Sequence, residues 1–468
     1  MNLTSHFFLL IFLPSTIGLY YGVFKSTRPK MFFLLFASYL FYALASWRFV
    51  PLLLGLSLIT YWLAKLKWVR VGVVLNLVAL GLFKYWNFGI ETFNGLMHTM
   101  GLDLIAPLLQ IGLPLGISFF VFKHIGYLLD IRQKRYQPAA DFWTFATFSA
   151  YFPQISAGPI SSYKDTAEQF KNLPSKLENH QIYEALVYLS VGLAKKILIA
   201  DTLGALLTSP LNKVGGFDGL FPAWYMVIAY AGQLYFDFSG YTDLVIGVSK
   251  FFGIGLPQNF DNPYLAKNPA QFWERWHISL SYWFRFYLFF PLSRTFLRRW
   301  GSRKRELAQY TANIISMTLI GLWHGAGWGY IFWGTYHGIL LNLNAWWKRR
   351  SQKLSSWIAR PLFLFSILLG WVLFMSPSAD YLKYISMQLF GFGGLGKIAL
   401  LKNLFFNQAT PVLLVAVPIT FSGYAEASNL LARGIVSRAR WAAVGLGFLA
   451  VLSLWMMKSN IPFLYAQF

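Results

Sequence analysis

One uninterrupted stretch decides the fold class: residues 307–347, LAQYTANIISMTLIGLWHGAGWGYIFWGTYHGILLNLNAWW, are 41 consecutive positions without a charged side chain. A helix needs about 20 apolar residues to cross the hydrocarbon core of a membrane. The stretch is therefore long enough for two spans. Four glycines within residues 321–329 predict a break in the helix or a close approach of two backbones there.

The composition of the whole 468-residue chain agrees with a membrane location. Charged residues make up 12% of it, aromatic residues 19% and hydrophobic residues 56%, whereas a soluble domain carries about 25% charged residues. So few charges cannot cover a soluble protein of this size, and so many aromatic residues exclude intrinsic disorder. The absence of cysteine excludes a disulfide scaffold, a cysteine zinc site and a cysteine nucleophile.

The pattern along the chain predicts an all-α, polytopic integral membrane protein with roughly eleven to thirteen membrane segments. We expect one membrane-embedded domain over residues 1–468, with no soluble appendage and no internal repeat. Residues 1–24 lack a basic start and a cleavage site, so we interpret them as a retained first span rather than a signal peptide. The charge-free windows are residues 1–24, 31–47, 49–64, 71–83, 104–122, 142–163, 219–236, 307–347, 361–379, 403–425 and 441–457.

The formal net charge of +23 comes from 40 Lys and Arg against 17 Asp and Glu. The basic residues lie in short runs between apolar stretches, which is typical of cytoplasmic loops and argues against nucleic-acid binding. Alternating spans place the loops at residues 25–30, 65–70 and 132–135 on one side, which the positive-inside rule makes the cytoplasm. The N-terminus is then extracytoplasmic. Further basic clusters, predicted to be cytoplasmic too, are residues 294–305, 348–353 and 433–440.

His324 lies at the centre of the charge-free stretch, within GLWHGAGWG (residues 321–329). A polar side chain within a membrane is costly and is functional by default. Imidazole also suits general-base work near neutral pH. The alternative is a histidine hydrogen-bonded between packed helices.

A second candidate region is residues 271–285, QFWERWHISLSYWFR, which contain three Trp, two Arg, a Glu and His277. We interpret this region as one amphipathic or re-entrant helix that lines a polar cavity; the alternative is an interfacial anchor. On such a helix Glu274 would share a face with Ile278, and Trp276 with Trp283. The preceding PQNFDNPY, residues 257–264, predicts a structured loop.

Three weaker features complete the candidates. Asp237 and Asp243 follow an apolar span and need polar partners, while the lack of metal-ligand spacing argues against a metal site. Gly158-Pro159 predicts a helix break that lines a cavity or is a plain kink. For His337, core packing is the favoured interpretation.

Seven motifs together resemble the membrane-bound O-acyltransferase family, especially its bacterial branch typified by the alginate O-acetylase membrane subunit. They run in family order through a core of about residues 80–345. The motifs are FKYWNFG (83–89), LPLGISFF (113–120), FPQISAGPI (152–160), FDFSGYTD (236–243), QNFDNPY (258–264), FWERWHISLS (272–281) and GLWHGA (321–326).

The resemblance implies an O-acetyltransferase of the bacterial inner membrane. An acetyl group would pass from a cytoplasmic thioester to hydroxyls of an extracytoplasmic polysaccharide such as alginate, peptidoglycan or cellulose, directly or through a periplasmic SGNH-type partner. The donor would be acetyl-CoA or a carrier-protein thioester, with no permanently bound cofactor. The alternatives are D-alanyl transfer to teichoic acid, and a transporter of an anionic or lipid-linked substrate.

The family's catalytic histidine matches His324, and its second polar residue matches His277. We expect His277 or Trp indoles to stabilise the oxyanion. The arginines expected to bind the phosphates of the donor are Arg285, Arg294, Arg298 and Arg299. The residues expected to line the substrate tunnel are Trp323, Asn259, Trp276, Ser279 and Asp237.

Overall fold

The computed structural model describes residues 1–102, 105–207, 215–350, 354–396, 409–432, 434 and 440–458. These residues form helices and connecting loops without a named strand, and one isolated antiparallel bridge joins Phe260 to Trp276. The predicted all-α class is confirmed. The chain divides into two compact units, the first formed by Met1–Ala185 and Val245–Pro257, the second by Leu186–Leu244 and Gln258–Phe468. A single functional domain stays a prediction.

Twenty-one α-helices occur in the described residues. Those in the first half are α1 (Leu13–Gly22), α2 (Thr27–Ser46), α3 (Val50–Lys65), α4 (Val69–Leu80), α5 (Trp86–Thr99), α6 (Ile117–Arg132), α7 (Phe142–Ala150), α8 (Tyr163–Lys171), α9 (Asn179–Leu193), α10 (Asp201–Leu207) and α11 (Leu220–Lys250). Those in the second half are α12 (Pro269–Trp273), α13 (Ile278–Phe284), α14 (Phe290–Trp300), α15 (Arg305–His324), α16 (Trp328–Arg349), α17 (Ser356–Met375), α18 (Ala379–Leu389), α19 (Ala409–Ser422), α20 (Ala427–Ala432) and α21 (Arg440–Met456).

Local sequence explains several helix starts. Asp141 caps α7, Ser162 caps α8, Asn268 caps α12 and Ser378 caps α18, each by accepting a backbone N–H of the first turn. Proline occupies the first turn of α1, α3, α12 and α14, where its missing N–H costs no hydrogen bond.

Three helical stretches are long and apolar enough to cross a membrane: Thr27–Lys65, Val69–Thr99 and Ser356–Met375. Shorter apolar helices cover Phe8–Gly22, Thr410–Ser422 and Trp441–Met456. Large apolar side chains such as Trp357, Trp441 and Trp455 are almost fully exposed, which suits contact with lipid rather than water. The larger number of spans inferred from the sequence stays a prediction.

The stretch that decides the fold class forms two helices, as predicted. α15 ends at His324 and α16 begins at Trp328, so the glycine-rich segment makes the break. The two helices pack closely because glycines face each other's backbone. A Cβ on Gly334 would lie 2.2 Å from Met317 O, and one on Gly321 would lie 2.1 Å from Tyr330 O.

This close packing leads to a stability prediction. We expect Gly334→Ala to force α15 and α16 apart and to destabilise the chain by about 1–3 kcal/mol. The control is Gly327→Ala, because a Cβ there meets Tyr330 only at 3.6 Å. Thermal unfolding in detergent measures both variants, and equal midpoints for the two would contradict the packing argument.

Two predicted spans are wrong in position. Residues 105–122 of the window 104–122 are not one helix, because Pro107 and Pro114 interrupt them and Gly116 takes a left-handed conformation, φ +67°. The helix there is α6, which carries Lys123 and Asp130 inside it. The window 142–163 is not one helix either, because α7 ends at Ala150 and a mostly buried, non-helical segment follows it. The helix therefore ends eight residues before the break predicted at Gly158-Pro159.

Two further predictions are also corrected. Asp237 and Asp243 lie well inside the 31-residue helix α11 rather than at the end of a span. Residues 271–285 are not one helix but the short helices α12 and α13, separated at His277. The faces predicted for Glu274 with Ile278 and for Trp276 with Trp283 therefore do not form. Of the predicted segments, residues 104, 351–353, 403–408, 433 and 435–439 lie outside the described residues.

Candidate active site

His277 lies at a sharp turn in the chain. Its φ of +42° and ψ of +55° place it in the left-handed region, which is strained for a residue with a Cβ. The turn is held by the neighbouring loop, because Asp261 N–H donates to Arg275 O at 3.0 Å and Ile278 N–H to Asn259 O at 2.9 Å. Strained backbone of this kind concentrates at functional sites.

The hydrogen bonds around Asn259 fix which nitrogen of His277 carries a proton. The backbone N–H and the hydroxyl of Ser279 donate to Asn259 Oδ1, at 3.1 and 2.9 Å. Because a backbone N–H can only donate, the Asn259 atom that it faces is the oxygen. His277 Nδ1 lies 3.2 Å from this oxygen and therefore donates to it. In the neutral ring, Nε2 then holds the lone pair, which does not suit the predicted role as an oxyanion donor.

His324 is the last residue of α15 and is 2% exposed, while His277 is fully buried. Their ring centroids are 6.3 Å apart. The His324 ring also contacts Trp333 at 5.1 Å and Phe374 at 5.6 Å between centroids. The structure thus places the two predicted histidines in one buried, aromatic-walled site.

The predicted tunnel residues lie in three different surroundings. Asn259 and Ser279 are hydrogen-bonded beside His277, and Trp323 contacts the His277 ring at 5.8 Å. Trp276 is fully buried and packs against Trp371 at 5.0 Å. Asp237 instead forms an ion pair with Lys196 at 2.7 Å. Lining of a substrate path by these residues stays a prediction.

The four predicted donor arginines are all exposed. Arg294, Arg298 and Arg299 lie on α14, and Arg285 precedes that helix. Arg285 Nη2 lies 4.0 Å from Glu274 Oε1. It also lines a cleft of about 300 Å³ in the second unit, together with Lys348, Asn313 and Trp273.

Comparison with known proteins decides the family. The family model described as "MBOAT, membrane-bound O-acyltransferase family" matches residues 139–386, more than half of the chain. A probable alginate O-acetylase of Pseudomonas syringae pv. tomato is 36% identical over 84% of this chain and 76% of its own length. The chain belongs to the membrane-bound O-acyltransferase family. It is therefore a membrane protein and an acyltransferase.

Other relatives extend the range of acceptors within the family. A peptidoglycan O-acetyltransferase of Helicobacter pylori is 33% identical over 80% of this chain and 76% of its own length. A teichoic acid D-alanyltransferase of Streptococcus thermophilus is 32% identical over 52% of this chain and 59% of its own length.

This O-acyltransferase also contains a buried charge cluster that the sequence reasoning missed. Lys195 pairs with Asp243 at 2.7 Å and with Glu426 at 2.8 Å. Lys196 pairs with Asp201 at 2.5 Å and with Asp237 at 2.7 Å. The signal was two adjacent lysines inside the apolar run after Leu193, since charges in such runs need buried partners.

A second missed feature is a polar network in the first unit of this O-acyltransferase. His124 lies 3.0 Å from Asn76 Oδ1 through Nδ1 and 2.8 Å from Ser149 Oγ through Nε2. All three residues are fully buried, so the network ties α4, α6 and α7 together. His337 is likewise fully buried, with its ring 4.9 Å from that of Trp333, in agreement with the interpretation as core packing.

Proposed function

We propose that this enzyme transfers an acetyl group from a thioester on the cytoplasmic side to hydroxyls of an extracytoplasmic polysaccharide. The observation that carries the proposal is the pairing of two buried histidines, His277 and His324, within 6.3 Å in a chain of this family. Relatives named as acetylases of alginate and of peptidoglycan align with at least 80% of the chain, which supports acetyl as the group and an envelope polymer as the acceptor.

In the proposed reaction, His324 is the general base. It takes the proton of the acceptor hydroxyl while the hydroxyl oxygen attacks the thioester carbonyl carbon. The tetrahedral intermediate then breaks its C–S bond, and the departing thiolate recovers the proton from His324. The products are the acetyl ester and the free thiol. The same histidine would alternatively carry the acetyl group as an acyl-His intermediate.

His277 is assigned to positioning the acceptor. With Nδ1–H held by Asn259, the lone pair on Nε2 suits a hydrogen bond from a hydroxyl of the acceptor sugar next to the attacking one, whose own proton goes to His324. The oxyanion then needs donors from elsewhere, and the indole N–H groups of Trp323 and Trp333 are the candidates whose rings contact His324.

The donor side is assigned to the cleft lined by Arg285 and Lys348. Its wall includes Trp273, whose ring contacts that of Trp333 at 5.8 Å, and Trp333 in turn contacts His324. The side chains of Trp273 and Trp333 therefore connect the wall of the cleft to the proposed base, His324. Exposed Arg294, Arg298 and Arg299 would meet the phosphates of acetyl-CoA.

The cellular setting is also a proposal. We place the chain in the bacterial inner membrane, with the N-terminus outside and a periplasmic SGNH-type esterase or transferase as partner. Membership of an acyltransferase family argues against the transporter alternative. D-alanyl transfer from a carrier protein is less well supported, because the D-alanyltransferase relative aligns with only 52% of this chain.

The direct test uses purified enzyme with acetyl-CoA labelled in the acetyl group and with polysaccharide as acceptor. Label in the polymer supports the proposal. Thioester cleavage only with a D-alanyl carrier protein would favour the alternative, and flux of the donor without cleavage would indicate a transporter.

The role of His277 has its own prediction. We expect His277→Asn to lower kcat/KM about 10-fold to 100-fold, at or below the lower end of general acid–base effects. Asparagine tolerates the left-handed conformation, so the turn survives while the imidazole is lost. The measurement is acetyl transfer at saturating acetyl-CoA over a range of acceptor concentrations. A loss as large as that of a His324 variant would contradict a positioning role.

A further inference from the structure

A basic cleft in the first unit has no role in the proposed reaction. Its volume is about 930 Å³, and it lies between the end of α3, the start of α4 and the end of α6. Four cations line it, with two aromatic side chains beside them: Lys67, Arg70, Arg132, Lys134, Trp68 and Tyr136. Two loops that the sequence predicted on the same side of the membrane thus meet in one cleft.

Two of these basic residues have a strained backbone conformation. Lys67 has φ +60° and Lys134 has φ +55°. Lys67 lies in the turn after α3, which a backbone hydrogen bond from Trp68 N–H to Leu63 O closes. Lys134 lies in the turn after α6, which a backbone hydrogen bond from Arg135 N–H to Asp130 O closes. This position usually holds glycine, because a Cβ is strained there. Lysine at both positions accepts this strain and places two positive charges on the wall of the cleft.

The dipoles of the two helices do not explain these lysines. Lys65 already lies in the last turn of α3 and Arg132 in the last turn of α6, where a cation offsets the negative end of a helix without backbone strain. Lys67 and Lys134 add charge beyond that need.

The charge of the cleft is not neutralised within the part of the first unit that the structure describes. No carboxylate lines it. Asp130 lies close by, but its Oδ1 faces Arg135 at 3.6 Å. Asp141 caps α7 by accepting the Thr144 N–H at 2.9 Å. The four lining cations therefore present a positive surface to whatever enters.

The cleft lies at the ends of two helical stretches long enough to cross a membrane, Thr27–Lys65 and Val69–Thr99. A cleft at the end of a membrane span is at the depth of the lipid headgroups. Trp68, at 60% exposure, and Tyr136 are residue types that favour that boundary.

We propose that this cleft binds the phosphate headgroup of an anionic phospholipid. The cations would pair with the phosphate oxygens, and the aromatic side chains would pack against the glycerol region. The cleft shares no lining residue with the proposed acyl-transfer site and would tie the first unit to anionic lipid.

The test is the double variant Lys67→Asn/Lys134→Asn. Asparagine tolerates the left-handed conformation, so the variant removes two charges without adding strain. In nanodiscs of phosphatidylcholine, we expect its affinity for added phosphatidylglycerol to fall about 30-fold, since each basic residue near the surface contributes about 1 kcal/mol. The matched control is Lys25→Asn/Lys164→Asn, which removes two exposed lysines of the same unit outside the cleft.

Equal phosphatidylglycerol affinities for the two double variants would overturn the proposal. Free CoA distinguishes a donor site from a lipid site. If CoA protects wild-type enzyme from thermal unfolding and fails to protect Lys67→Asn/Lys134→Asn, the cleft binds the donor and the lipid proposal is wrong. Protection of both proteins by CoA, with lipid affinity lost only in the cleft variant, supports it.

Discussion

Replacing His324 by alanine should lower the rate of acetyl transfer about 10²–10⁴-fold, which is the range that general-base catalysis contributes. The imidazole ring of His324 lies against the aromatic wall formed by Trp333 and Phe374. Alanine removes the base without touching the hydrogen-bonded turn at His277. The measurement is label transferred from acetyl-CoA to polysaccharide by purified enzyme of normal yield and thermal midpoint.

The matched control is His337→Gln. His337 is as fully buried as the proposed catalytic pair, and its ring also contacts Trp333, yet the proposed reaction does not use it. We expect this variant to keep activity within a few-fold of wild type. Added imidazole should partly restore His324→Ala, because a small base fits the cavity that the side chain leaves. Wild-type activity in a well-folded His324→Ala variant would overturn the proposed mechanism.

Much of this arrangement could be predicted from local sequence. The helix pair α15 and α16 followed from the length of one charge-free stretch and the glycines at its centre. His324 stood out because a polar side chain in so apolar a segment is expensive. The helix pair and the burial of His324 are confirmed because each depended on residues close together in the chain, while the catalytic role of His324 stays a prediction.

The left-handed turn at His277 could not be predicted in this way. Residues 271–285 have the composition of an amphipathic helix, and hydrogen bonds from the distant loop at Asn259 and Asp261 hold the chain in a different path. Tertiary contacts here override local helix propensity. The orientation of the His277 ring, and so the nitrogen that holds its lone pair, depends on the same distant asparagine.

The buried charge cluster shows the same limit over a longer range. Lys195 is 231 residues from its partner Glu426, and no spacing rule connects the two. Lys195 lies in the helical segment Ala194–Ala200 that continues α9. The close approach of this segment to α11 depends on Gly240, where a Cβ would lie 2.8 Å from that of Lys195. Composition alone indicated that the two aspartates of α11 need partners, without indicating which.

The second large effect is expected at this cluster. Lys195→Met should destabilise the enzyme by about 3–5 kcal/mol, the range for removing one partner of a buried ion pair. Lys195, Asp243 and Glu426 are each at most 4% exposed, so the variant leaves two carboxylates in the interior without their cation. Thermal unfolding in detergent should show a large fall in midpoint.

Charge balance and packing are separated by a compensated variant. Lys195→Met/Asp243→Asn/Glu426→Gln removes all three charges while keeping similar volumes, and glutamine still accepts the Tyr235 hydroxyl that donates to Glu426 Oε1 at 2.5 Å. We expect it to recover most of the lost stability, because neutral replacement of a whole buried ion cluster is often well tolerated. The control is Lys171→Met, which breaks an ion pair of similar length, 2.8 Å to Glu168, at the surface; its midpoint should barely change. A triple variant no more stable than Lys195→Met would show that the cluster contributes through its shape rather than its charge.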